Sequence, residues 1–165
     1  RCGEEFSINI SAEDIYNPQF LPYLDEMMNK FPSCYNRVIL EIVESEDFES
    51  YRIISEFIKR ARKEGYRFAI DDFGSGYSNF SHLRKLNIDY IKFDGSLIRK
   101  IDTDRTSSVI IKNIAGLCRE LNIKTIAEFV ESDSILRAVK DFGIDYSQGM
   151  FIDAPSPVPD SILPR

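Results

Sequence analysis

Residues 38–72 read VILEIVESEDFESYRIISEFIKRARKEGYRFAIDD, and the alternation of periods inside this stretch decides the fold. Val38 to Val43 is a short β-branched and aliphatic run broken only by Glu41. Ile53, Ile54, Phe57, Ile58 and Ala61 then recur at helical spacing, and Gly65 follows as a helix stop. Phe68 to Ile70 returns to strand character. A strand, a helix and a second strand in so short a span describe a parallel βα unit, because parallel neighbours need a crossover.

The same alternation extends in both directions. Strands are expected at Phe6 to Ile10, Tyr90 to Phe93, Ile123 to Ala127 and Asp145 to Ser147. Helices are expected at Gln19 to Lys30, Glu49 to Glu64, Ser78 to Leu86, Asp104 to Leu121 and Ser132 to Phe142. About six βα units result. Connectivity of this kind either opens as a doubly wound sheet or closes as a barrel of eight. The chain is read as one α/β domain over residues 1–165, with a proline-rich tail from Pro155.

Composition narrows the function. Of 165 residues, 43% are hydrophobic, enough for a real core. The 21 basic and 27 acidic residues give a net charge of −6 with no basic run, so no DNA or RNA partner is expected. Cys2, Cys34 and Cys118 are far apart and odd in number, suggesting neither a disulfide framework nor a zinc cluster, and a cytoplasmic domain is the expectation. No apolar run reaches the roughly 20 residues of a membrane span. The chain opens at Arg1 and is soon in strand-like sequence, which reads as a piece of a longer protein.

In parallel α/β folds ligands bind at the carboxyl ends of the strands. Those ends carry Asn9, Glu41 with Glu44, the pair Asp71 and Asp72, Lys92, Glu128 with Glu131, and Gln148. A single acid at a strand end is more often a helix cap or a solvated charge. Glu41 is different, since its apolar flanks suggest burial and a buried carboxylate needs a cation. Acids or amides from five strands on one rim repel unless something positive neutralises them. With oxygen ligands only, Mg²⁺ or Mn²⁺ is the expected ion. Adjacent Asp71 and Asp72 can diverge where the strand ends toward two ions about 3.5 to 4 Å apart, an arrangement that hydrolyses phosphoesters. Gly74 and Gly76 would let Phe73 to Tyr77 form a loop over the site.

The segments SINIS (7–11), EIVES (41–45), IDDFGSGYS (70–78), IKFD (91–94), AEFVE (127–131) and QGMF (148–151) resemble, in order, the motifs of the EAL domain family of bacterial cyclic di-GMP phosphodiesterases. That resemblance implies a TIM-like (β/α) barrel, incomplete here. It also implies metal-dependent hydrolysis of cyclic di-GMP to linear pGpG in bacterial signalling of the kind that regulates biofilm and motility. By motif position Asn9, Glu41 and Asp71 would hold a first metal ion, with Asp71 and Asp72 serving a second. Lys92 would hold the attacking water or stabilise phosphoryl charge, and Glu128 would act as general base or position the water. Gln148 and Glu131 would support the site. Glu44 would anchor the loop after Asp72, which the family also uses in dimer contacts, so a homodimer through that loop is implied.

The resemblance lacks the Glu-Ala-Leu signature of the family's first strand, so the chain is read as an EAL-type domain without that strand and its helix. On this reading the fragment alone would expose strand edges, be inactive and self-associate. Gly95 stands where many members carry arginine, and Asp153-Ala154 replaces the usual basic residue before Pro155. The alternative class is a non-catalytic cyclic di-GMP receptor or protein-interaction module. Whether GGDEF-like, sensory or membrane domains accompany it in the parent is left open.

Overall fold

The computed structural model describes residues 5–34, 36–43, 48–74 and 86–155. Six strands form one parallel sheet whose spatial order is the chain order: β1 (Phe6–Ile10), β2 (Val38–Val43), β3 (Arg67–Phe73), β4 (Tyr90–Phe93), β5 (Lys124–Ala127) and β6 (Tyr146–Ser147). This is barrel connectivity in an open, unclosed sheet, with β1 and β6 as its two edges. The helices are α1 (Ala12–Tyr16), α2 (Phe20–Lys30), α3 (Phe48–Ala61), α4 (Gly95–Ile98), α5 (Arg105–Glu120) and α6 (Asp133–Asp141).

Alternation along each strand divides the core in two. Leu40, Phe68 and Ile91 point to one face, where they are wholly buried with Ile54, Phe57 and Ile58 of α3 and Ile111 of α5. Ile39, Ala69 and Tyr90 point to the other face and form a second cluster with Ile126. Two residues further along β2, β3 and β4, on that same second face, stand Glu41, Asp71 and Lys92. The apolar cluster is therefore the floor on which the charged rim rests. At its far end Arg67 Nη1 donates to Tyr90 Oη at 2.7 Å, Tyr90 Oη donates to Glu5 at 3.0 Å, and Arg67 pairs with Glu5 at 2.7 Å. Burial and the Glu5 hydrogen bond push the Tyr90 phenol up to about 12.

The helix and strand expectations hold with shifts of one or two residues at the ends, the helix expected to reach Glu64 finishing as a 3-10 turn at Arg62–Glu64, except in three places. The strand expected at Phe68 to Ile70 continues to Phe73, which is wholly buried and belongs to the core, so no loop begins there. The short helices α1 and α4 were not anticipated. Their signals are local caps and not periodicity: Ser11 and Asp14 form a reciprocal capping box, and Asp94 Oδ1 accepts from Ser96 N at 2.9 Å. The helix expected at Ser78 to Leu86 lies outside the described residues except for Leu86. No helix among the described residues is long and apolar enough to cross a membrane.

Candidate active site

Strands β2, β3, β4 and β5 bring four carboxylates and one ammonium together at their carboxyl ends. Lys92 Nζ lies 2.7 Å from Glu41 Oε2, 2.9 Å from Asp71 Oδ1 and 3.0 Å from Glu128 Oε1. Lys92, Glu41 and Glu128 are only 5%, 5% and 7% exposed. Such burial is tolerable because each charge is paired. Gln148 Nε2 donates to Glu128 Oε1 at 2.6 Å, and β6 is tied in place because Gln148 N donates to Ala127 O at 2.9 Å.

The adjacent acids share the site through a break in alternation. In a regular strand Asp72 would face away from Asp71. Here the β3–β4 register shifts between Ile70 and Phe73, and Asp72 adopts φ 54°, a left-handed conformation that aspartate tolerates better than most residues. One oxygen each of Asp71, Asp72 and Glu128 then lies within 4.8 Å of the others. The irregularity lies inside the strand, not at its end, and it brings oxygens of the two adjacent acids to one place.

Charge sets the chemistry of this cluster. Burial works against the Lys92 ammonium, but its three carboxylate partners outweigh this and hold its pKa above the usual lysine value. Burial raises the Glu128 carboxyl, partly offset by Lys92 and reinforced by Asp71 and Asp72. Burial also raises Asp72, with Asp71 and Asp94 adding to the effect. Asp71 Oδ1 is buried, and its contact is the ion pair with Lys92 at 2.9 Å. Among the described residues Asp72 makes no ion pair. Four carboxylates facing a single ammonium leave the set under-neutralised, and its clustered hard oxygen donors suit a divalent cation held by Asp71, Asp72 and Glu128.

The remaining residues singled out from the sequence fall around this centre. Asn9 is exposed on β1, across from Glu41 in register. Glu131 lies outside the cluster and pairs with Arg99 at 3.3 Å. Gly74 follows β3 with φ 99°, where a methyl group would lie 2.5 Å from Leu97. Glu44 and Gly76 lie outside the described residues. Beside the acids opens a cleft of about 430 Å³ lined by Glu128, Phe129, Glu131, Gln148, Met150 and Asp153 among others. Phe129 and Arg99 were not anticipated as parts of the site; no periodicity marks them, and the one local signal was the place of Phe129 directly after Glu128.

The sequence model of the EAL domain matches residues 2–155. The chain belongs to the EAL domain family. It is 37% identical, over 93% of its length, to the cyclic di-GMP phosphodiesterase PdeA of Borreliella burgdorferi, of which it covers 23%. The EAL domain of Mycobacterium smegmatis DcpA superposes with a TM-score of 0.85 at 26% identity, covering 92% of this chain and 68% of that one. The phosphodiesterase PaMucR, in a structure described as its c-di-GMP complex, superposes at 0.81 with 27% identity, covering 93% and 61%. The chain thus spans about a quarter of the length of that curated relative, and these EAL neighbours support the TIM-like barrel architecture of the open sheet.

Proposed function

We propose that this EAL domain supplies the catalytic centre of a metal-dependent phosphodiesterase that hydrolyses cyclic di-GMP to linear pGpG. The observation that carries the reading is the Glu41, Asp71, Asp72, Lys92 and Glu128 cluster, delivered by four strands to one rim. Its similarity to proteins named cyclic di-GMP phosphodiesterases supports the substrate. Mg²⁺ or Mn²⁺, as one ion or a pair, fits the oxygen-only donors. When bound, the metal would supply Lewis-acid stabilisation of phosphoryl charge.

The chain's own residues account for the rest. Asp71 and Asp72 present donors from one bulge, and Asn9 and Glu41 extend the donor set across β1 and β2. Lys92 holds Glu41, Asp71 and Glu128 close enough to act as a unit. Glu128, buried at the rim beside Asp71 and Asp72, takes a proton from the water that attacks phosphorus. Gln148 orients Glu128 through the Oε1 that it shares with Lys92. The water oxygen bonds to phosphorus, one P–O ester bond breaks, and the sugar oxygen leaves and takes a proton from solvent while Glu128 returns its own to solvent, opening the ring to a linear dinucleotide.

The test is pGpG formation by the full-length protein with Mg²⁺ or Mn²⁺, beside Mn²⁺ titrations of Asp71→Asn and Asp72→Asn. The expected results are turnover in the parent and weakened Mn²⁺ binding in both variants. A full-length protein that binds Mn²⁺ but leaves cyclic di-GMP intact overturns the reading.

A further inference from the structure

The residue after Glu128 is held by contacts that the catalytic reading does not use. Phe129 has φ 53°, a conformation that residues with side chains rarely adopt, and the residue remains 41% exposed. Two contacts account for its position. Gly95 provides a notch, since a methyl group there would overlap Phe129 Cδ2 and lie 2.9 Å from Cγ. Arg99 covers the ring, with its guanidinium carbon 4.1 Å from the centroid, and pairs with Glu131 at 3.3 Å. Gly95 and Arg99 open and cap α4, the helix that follows β4 after only Asp94.

On either side of Phe129 the backbone is pinned. Ala127 ends β5, and Val130 N donates to Gln148 O at 3.0 Å. The direction in which Glu128 leaves the strand therefore depends on the turn at Phe129.

We infer that Phe129 is a positioning residue for Glu128: its ring, seated in the Gly95 notch beneath Arg99, fixes the left-handed turn that aims the carboxylate at Lys92 and the Asp71–Asp72 pair. The inference rests on the phosphodiesterase reading for its kinetic readout. A displacement near 1 Å at a catalytic group costs on the order of 100-fold in rate.

The test is a double-mutant cycle in the full-length protein with cyclic di-GMP and Mn²⁺. Gly95→Ala displaces the ring and is expected to lower kcat about 10- to 100-fold with KM within about twofold. Phe129→Gly removes the ring while keeping the left-handed turn accessible, so Gly95→Ala is expected to cost nothing further in that background. Equal losses in both backgrounds, an unchanged kcat, or an effect confined to KM overturns the inference. Should Gly95→Ala not fold, Arg99→Leu uncovers the ring without touching the notch; a roughly 3- to 10-fold loss in kcat at constant KM is expected, and none overturns it. Two outcomes separate the readings: a parent that leaves cyclic di-GMP intact defeats the phosphodiesterase assignment, whereas turnover retained in Glu128→Gln shows that Glu128 needs no aiming and overturns this inference alone. Hydrogen exchange at the Val130 amide follows the turn without any activity. Faster exchange in Gly95→Ala than in the parent is expected, and equal exchange counts against the inference.

Discussion

Replacing Lys92 with methionine tests the electrostatic logic of the rim directly. Lys92 is 5% exposed and contacts three carboxylates at 2.7, 2.9 and 3.0 Å. Removing one partner of a buried ion pair costs about 3–5 kcal/mol, because the remaining charge is left uncompensated. Here three acids are left, and they can escape part of that cost by taking up protons, so about 3 kcal/mol at pH 8 is the expected loss. The sign of the pH dependence follows. Glu128 already has a raised pKa, and loss of the ammonium raises it further. A carboxyl that binds its proton more tightly folded than unfolded makes stability fall as pH rises through the window from 4.5 to the raised value. The defect should therefore be small near pH 5 and large at pH 8. Urea unfolding at the two pH values, in chelator and then in Mn²⁺, measures it. Saturating Mn²⁺ should return about 2.7 kcal/mol at 100 times Kd. A Lys92→Met protein as stable as the parent at pH 8, with no pH slope, would refute the reasoning.

Three further outcomes are expected elsewhere in the chain. Asp145 accepts from Thr125 N at 2.9 Å and Thr125 Oγ1 at 3.0 Å and pairs with Lys124; despite opposing burial these contacts lower its pKa. Its contribution is present above the ordinary value of 3.8 and is lost as pH falls through the lowered one, so Asp145→Asn should cost about 1–2 kcal/mol at pH 7 and converge with the parent in acid unfolding below that range. Gly149 has φ 153°, and a methyl group there would overlap the Val130 backbone; Gly149→Ala should lower Tm by several degrees, and an unchanged Tm would show that the β6 turn can relax. Burial pushes the Cys118 thiol up to about 11, whereas Cys34 is partly exposed; in the native protein a thiol reagent should modify Cys34 and spare Cys118 until unfolding.

What the sequence made legible follows from the range of the interactions involved. The strands and longer helices depend on local periodicity, so Val38 to Val43 and the repeat from Ile53 to Ala61 could be read one window at a time. Glu41 announced the need for a cation, because a lone acid in an apolar strand has few alternatives. The partner that meets this need lies 51 residues away on β4, and only the strand order brings it close. The end of β3 was misjudged because two charges resemble a turn, whereas a bulge lets the strand continue to a buried Phe73. Phe129 was invisible as a structural element for a different reason. No pattern marks an aromatic residue with positive φ, and its explanation lies in Gly95, which the sequence showed only as a departure from a family habit.

The sheet's strand order has a consequence for synthesis. Because every strand pairs with its neighbours in the chain, each can dock on the one before it as the polypeptide emerges. Glu41 and Asp71 can therefore come together before Lys92 docks beside them. Until β4 arrives, the nascent edge carries two neighbouring negative charges with no positive one between them, and protonation or a bound cation is the means available to quiet it. The fourth strand thus closes the electrostatics as well as extending the sheet.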